Sequence, residues 1–437
     1  MTDEQLAAHI VSGGKLRALL LELWQRTRMD WGFVTDRLAS TFRKETWVGG
    51  HERRFVGETL YGLVRNLRKI DLALARGRKA ERQPRDLERL LALLVIEKLL
   101  PPATAARALP EIDWARVAGI DEVIATERKL EKRIALASSL PDWLAARLVA
   151  DWGPEAEALA KGLNQRAPMT VRANLLGGTR AAIADALAGE QVATHEGKWS
   201  DTALVVDTRT NLFGLAAFKK GLFEAQDEGS QLLADVAAAC APTKPLVVDY
   251  CAGAGGKTLA IAARLGNTGR VVATDIDGNK LEELRRRARR AGVSVAQAIS
   301  IDVANWPTQI DALRGKADVV LVDAPCSGIG ALRRNPEARW RLNPADMDGF
   351  ATRQRDILAA ALRLCSPKGR VVYATCSLLR SENQGVVEAT AADPVPLSEL
   401  LGPARAAALG DGTALTVTPH RHNTDGFFAQ VLAPRAT

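Results

Sequence analysis

No apolar run in this chain is long enough to cross a bilayer, which argues against a membrane-spanning helical protein. The first residues, with Asp3 and Glu4, lack the basic start and apolar stretch of a secretion signal, so the expected compartment is the cytoplasm. The five cysteines (Cys240, Cys251, Cys326, Cys365 and Cys376) fall in no CxxC or disulfide-framework spacing. In a reducing compartment they are expected to be free thiols, with no metal held between them. The sequence also lacks a G-x-G-x-x-G dinucleotide turn, a P-loop and a histidine-containing triad signature. These absences turn the reading away from dehydrogenase, nucleotide triphosphatase and protease chemistry.

With 437 residues, there is room for two or three domains with cores of their own. A net charge of +8 and a pI near 9.3 permit a polyanionic partner without demanding one. Up to about Leu148 the apolar residues recur at helical spacing, as in Leu16, Leu19, Leu20 and Leu23, then in Phe55, Leu60, Leu63, Val64 and Leu67. Leu87 to Leu100 predicts a helix stopped by Pro101 and Pro102. Arg53, Arg54, Arg65, Arg68, Lys69, Arg76, Arg78, Lys79, Arg82 and Arg85 lie among these stripes. They read either as a solvated face or as an RNA-backbone footprint. From Met169 to Phe223 short strands and a helix predict a small α/β unit.

Beyond Leu246, apolar runs alternate with helical stretches: Leu246–Tyr250, Arg270–Ile276, Val293–Ile299, Ala317–Val322 and Arg370–Thr375. Continuous apolar runs are the mark of parallel strands buried on both faces, so a doubly wound α/β domain is expected. Gly402 to Gly412 reads as a surface loop, and Arg285–Arg290 as a solvated helix face. The first run leads into Cys251-Ala252-Gly253-Ala254-Gly255-Gly256-Lys257, a glycine-rich turn opening a helix. The second ends in Asp275, placed to bind ribose hydroxyls, with Asp277 a competitor. Asp302 after the third strand suits an adenine amino group or a helix cap. Two further strands end in Asp323-Ala-Pro-Cys326-Ser and Ala374-Thr-Cys376-Ser. If these strands are neighbours, both thiols face one pocket. Arg333 and Arg334 follow closely enough to clamp a substrate phosphate.

These residues, with Phe223-Glu-Ala-Gln-Asp-Glu-Gly-Ser-Gln231 and Asp425-Gly-Phe-Phe428, resemble the Nop/Sun family of RNA cytosine-5 methyltransferases, nearest its bacterial ribosomal-RNA branch. The family turn usually carries Pro-Gly-Gly, and Ala254 replaces that proline. The resemblance implies three domains: 1–148, helical and similar to the antitermination factor NusB; 149–230, RNA-recognition-like; and 231–437, a Rossmann-like methyltransferase. It implies S-adenosylmethionine held by Cys251 to Lys257, Asp275, Asp302 and Asp323, and RNA as partner, 16S ribosomal RNA first. It also implies Cys376 as nucleophile with a lowered pKa, Asp323 stabilising the adduct and Cys326 assisting release. Transfer RNA is the alternative substrate, and a non-catalytic RNA-binding factor the alternative class. Nitrogen methylation is disfavoured, since Asp-Ala-Pro-Cys stands where an Asn-Pro-Pro type motif is needed.

Overall fold

The computed structural model describes residues 1–79, 81–302 and 306–435. The chain divides into two compact units, Met1–Gln165 with Leu332–Pro344, and Arg166–Ala331 with Ala345–Thr437.

The first unit is helical. Its longest helix, Gly50–Gly77, packs against Asp86–Ile96. The two approach closely at Gly62, where a Cβ would come within 2.9 Å of Leu93. The helix expected to reach Leu100 ends at Ile96 instead, where Lys98 turns left-handed (φ +59) and the Leu99 and Leu100 amides return to the Leu94 carbonyl, so it stops before the prolines are reached. Leu332–Pro344 returns from far along the chain to fill this unit's interior. The Arg339 guanidinium is fully buried and donates to the Ser138 carbonyl and Asn164 Oδ1, both at 2.8 Å. Trp340 Nε1 donates to the Val64 carbonyl at 2.9 Å. Arg333, expected as a phosphate clamp, is 3 % exposed here, and its carbonyl accepts from Arg65. The segment was read as substrate-facing because it follows Cys326; its alternation of large apolar and arginine side chains is instead that of an internal plug.

Most of the expected basic footprint is also engaged internally. Arg82 and Arg85 pair with Glu88, which is fully buried, and Arg78 approaches it at 3.6 Å. Arg68 pairs with Asp142 and Lys69 with Asp121, both at 2.7 Å. Arg76 and Lys79 stand exposed. The ten residues therefore do not form one solvated face.

The second unit holds two sheets. In the smaller, β1 (Met169–Ala173), β2 (Thr194–Glu196), β3 (Ala203–Val206) and β4 (Phe223–Ala225) run antiparallel in the order β2-β3-β1-β4. The larger contains β5 (Leu246–Asp249), β6 (Arg270–Asp275), β7 (Ala296–Ser300), β8 (Ala317–Asp323), β9 (Cys365–Thr375), β10 (Ala392–Val395), β11 (Leu415–Val417) and β12 (Phe427–Pro434). Its order is β10-β12-β9-β8-β5-β6-β7, with β11 beside β12. β5 to β9 are parallel and β12 is antiparallel to β9. Alternate residues feed two cores: Val248, Val320 and Val371 one, Val247, Val319 and Val372 the other. That double burial explains the unbroken apolar runs. Cys365 begins β9, and the Gly402–Gly412 stretch, expected as a surface loop, contains the helix Pro403–Leu409.

The two sheets are joined through the Phe223–Gln231 stretch. Glu224 pairs with Arg287 at 3.0 Å and Arg290 at 2.5 Å, Glu228 accepts from Trp199 and Ser200 amides at 2.6 and 2.9 Å, and Asp227 caps the helix Glu228–Ala239. At Gly221 (φ +72) a Cβ would lie 1.9 Å from the Arg290 carbonyl. So Arg287 and Arg290 are interior ties, correcting the solvated reading of that run. Arginines three residues apart share one helix face, and here that face meets a buried glutamate.

Candidate active site

Strand order reverses between β5 and β8, and open α/β sheets bind ligands at the carboxyl ends flanking such a point. β5 ends in Asp249, fully buried, whose Oδ2 accepts from Thr258 Oγ1 at 2.6 Å while Oδ1 has no hydrogen-bond partner among the described residues. Burial pushes its pKa up to about 6, against the Thr258 hydrogen bond and the Lys257 charge. The turn above it is folded by its own backbone: Ala252 N–H donates to the Thr274 carbonyl at 2.8 Å and Gly255 N–H to Ala252 at 2.9 Å. Gly253 has φ +54 with open space where a Cβ would be. Gly255 has φ +83, and a Cβ there would meet Leu284 at 2.4 Å, so only glycine fits. The carbonyl of Ala254 accepts from Arg287 Nη1 at 2.8 Å, which fixes the turn where the proline ring is missing. The Cys251 thiol is pushed up by burial first and by nearby carboxylates second.

Asp275 Oδ2 accepts from Gly253 N–H at 2.8 Å and Oδ1 from Asp277 N–H at 2.9 Å. Asp277 instead caps the following helix, accepting from Asn279 and Lys280 amides. The geometry thus separates the two competitors. Asp302 is exposed just past β7, and residues 303–305, which decide its cap alternative, lie outside the described residues.

β8 and β9 are adjacent and parallel, with Asp323 opposite Ala374. Their ends bring Cys326 Sγ to 3.3 Å from Cys376 Sγ. Asp323 Oδ2 accepts from Lys257 Nζ at 2.5 Å. Burial opposes the Lys257 charge, but Asp323, then Asp249 and Cys376, outweigh it and hold its pKa above the ordinary lysine value. The Cys326 thiol is pushed well up, first by its contact with Cys376, then by burial, then by the charges of Cys376 and Glu382.

Reading from sequence missed Glu382. It is fully buried, and its carboxylate accepts from Ser327 N–H at 2.8 Å, Ser327 Oγ and Ser377 Oγ at 2.5 Å each, and Gln354 Nε2 at 3.0 Å. It ties the residue after each thiol to one carboxylate. The only signal in the sequence was an acid five residues beyond a Cys-Ser pair, which has no periodic meaning. Missed too was Gly330, whose N–H donates to the Cys376 carbonyl at 2.9 Å, and whose Cβ would strike Gly426 at 2.1 Å. That contact gives the Asp425-Gly-Phe-Phe motif its physical role.

An α/β sheet with a glycine turn at its switch point, an acid ending the next strand and a part-buried Lys–Asp pair is the site of a Rossmann-like S-adenosylmethionine-dependent methyltransferase. The donor set suits that cofactor: each Asp275 oxygen uses one lone pair on an amide and keeps another for a hydroxyl.

Residues 239–433 match the model of the 16S rRNA methyltransferase RsmB/F family, and residues 140–212 match the ferredoxin-like domain of RsmF/B-like methyltransferases. The chain is 31 % identical over 403 residues to the ribosomal RNA small subunit methyltransferase B of Xanthomonas campestris, covering 87 % of this chain and 89 % of that one. PH0851 has the same fold, with a TM-score of 0.74 at 24 % identity, covering 94 % of this chain and 97 % of that one. NSun6 from Pyrococcus horikoshii, solved with SFG, aligns with a TM-score of 0.58 at 20 % identity over 68 % of this chain and 99 % of its own. The chain belongs to the RsmB/F family of rRNA methyltransferases.

Proposed function

We propose that the protein methylates C5 of a cytosine in RNA, 16S ribosomal RNA first, through a covalent bond between Cys376 and the ring. The observation that carries this reading is the pair of thiols 3.3 Å apart at the ends of neighbouring parallel strands, beside a part-buried Lys257–Asp323 pair. Cysteine as a purely apolar filler explains neither the contact nor the polar setting.

Cytosine C5 is a poor nucleophile. Cys376 Sγ adds to C6, and the C5–C6 electron pair moves toward C5. Asp323, fixed by Lys257, stands near N3 and the exocyclic amine and steadies the adduct by hydrogen bonding or proton donation. S-adenosylmethionine, held by Cys251 to Lys257, Asp275, Asp302 and Asp323, supplies the activated methyl group. Afterwards the C5 proton leaves to water, its electron pair restores the double bond, and the C6–S pair returns to Cys376. Cys326 assists that expulsion. The target base must be flipped out or unpaired. On this reading 1–148 is a NusB-like RNA-binding domain, 149–230 an RNA-recognition-like domain and 231–437 the catalytic domain, acting in the cytoplasm, where both thiols stay reduced.

With unmethylated ribosomal RNA and S-adenosylmethionine, Cys326→Ala is expected to accumulate a covalent RNA–protein complex on denaturing gels. Cys376→Ala should form none and lose methylation by about 10³-fold or more. Full activity in Cys376→Ala overturns the assignment. Bisulfite sequencing of RNA from a deletion strain separates ribosomal from transfer RNA.

A further inference from the structure

The two thiols are chemically alike, yet the proposed reaction gives them opposite tasks. Their surroundings are not alike. On one side stands the part-buried Lys257 ammonium, held by Asp323 at 2.5 Å and close enough to Cys376 to favour a negative charge there. On the other, the buried Glu382 carboxylate acts on Cys326. Among the described residues, the Glu382 carboxylate accepts from neutral donors: two serine hydroxyls, one amide N–H and one glutamine side chain. Such donors stabilise a buried charge without cancelling its field. Ser327 is bound to it twice, through N–H and Oγ. The Cys376 turn has a separate anchor, since Thr375 Oγ1 donates to Asn383 at 2.6 Å and Asn383 Nδ2 to the Ser377 carbonyl at 3.0 Å. Tyr373 Oη donates to the main-chain carbonyl of Glu382 at 2.6 Å, not to its carboxylate. Asp323, the other acid nearby, is bound to Lys257.

We propose that Glu382 is a positioning residue for the proton of the thiol pair: with Lys257 on the Cys376 side, its carboxylate keeps the shared proton on Cys326 and the attacking charge on Cys376. This rests on the reading of Cys376 as nucleophile. The two sulfurs are 3.3 Å apart, so in the reactive form, with one proton for the pair, transfer of that proton from Cys326 to Cys376 leaves a thiolate on Cys326 and a thiol that cannot attack. Glu382 opposes that transfer by placing a negative charge next to the thiolate it would create.

The test is Glu382→Gln in the full chain, alone and combined with Cys326→Ala. Alone, it is expected to slow single-turnover methylation roughly 10- to 100-fold, the order lost when a group that orients a reacting residue is removed. KM for S-adenosylmethionine should hold. In Cys326→Ala no second sulfur can take the charge, so adding Glu382→Gln should change the rate of covalent complex formation by less than about threefold. An equal fall in both backgrounds makes Glu382 a mere brace and overturns the proposal, as does unchanged methylation in the single variant. Ser327→Ala, which keeps the carboxylate, should lose less than Glu382→Gln; the reverse order also overturns it. Absence of any complex in Cys326→Ala strikes the covalent reading itself, separately from Glu382.

Discussion

Each compact unit buries a glutamate completely, and the two are held in opposite ways. Glu88, in the helical unit, is surrounded by the guanidinium groups of Arg78, Arg82 and Arg85. Glu382, under the thiols, is surrounded by hydroxyls and amides. Burial pushes the Glu88 carboxyl upward, but the bonds from Arg82 and Arg85 outweigh that and hold its pKa below the ordinary range. A carboxylate matched by cations has its field spent inside its own cluster and serves the fold. One matched by neutral dipoles keeps its field and can act on a neighbour.

The comparison breaks first at Glu88. Glu88→Gln leaves Arg78, whose side chain is only 6 % exposed, beside other cations without their acid. A loss of about 3–5 kcal/mol in the helical unit is expected, the size found on breaking buried ion pairs. Urea unfolding at neutral pH measures it, and an unchanged midpoint would show the arginines do not rely on it. The sign with pH follows: a lowered folded pKa means this stability is complete above the ordinary glutamate range and disappears as pH falls through the lowered value.

At Glu382 the same change should cost less stability, about 1–2 kcal/mol, because an amide still accepts one set of its four bonds. A stability loss as large as at Glu88 would erase the distinction.

A third buried carboxylate sharpens it. Asp249 has one hydroxyl donor and one oxygen without a partner. Its pKa, raised by burial to about 6, means that ionising it costs stability: the penalty is absent below the unfolded value near 4, and complete above about 6. Asp249→Asn should therefore raise the unfolding free energy at pH 7.5 by about 1–2 kcal/mol and give no gain at pH 4. A gain at both would remove ionisation as its cause.

Much of this was legible in the sequence, and for identifiable reasons. Four of the five parallel strands announced themselves because both faces are buried, while β7, at the edge of the sheet, is half exposed. Asp275, the glycine turn and the Cys-Ser pairs lie at strand ends, where local order along the chain is also order in space. Glu382 and the Leu332–Pro344 plug were not legible. Glu382 acts on Ser327, 55 residues away, across a loop with no periodicity. The plug reads as a basic loop until its partners, Ser138 and Asn164, are known. The Arg285–Arg290 run misled because a row of like charges is usually solvated, and nothing local announces Glu224.

The Arg339–Trp340 plug has a consequence for biosynthesis. The helical unit comes first off the ribosome, but the side chains that reach the carbonyls of Ser138 and Val64 are made 201 and 276 residues after them. The nascent unit must wait for its plug until the chain has passed Trp340, so maturation of the amino-terminal half is timed by synthesis of the carboxyl-terminal half.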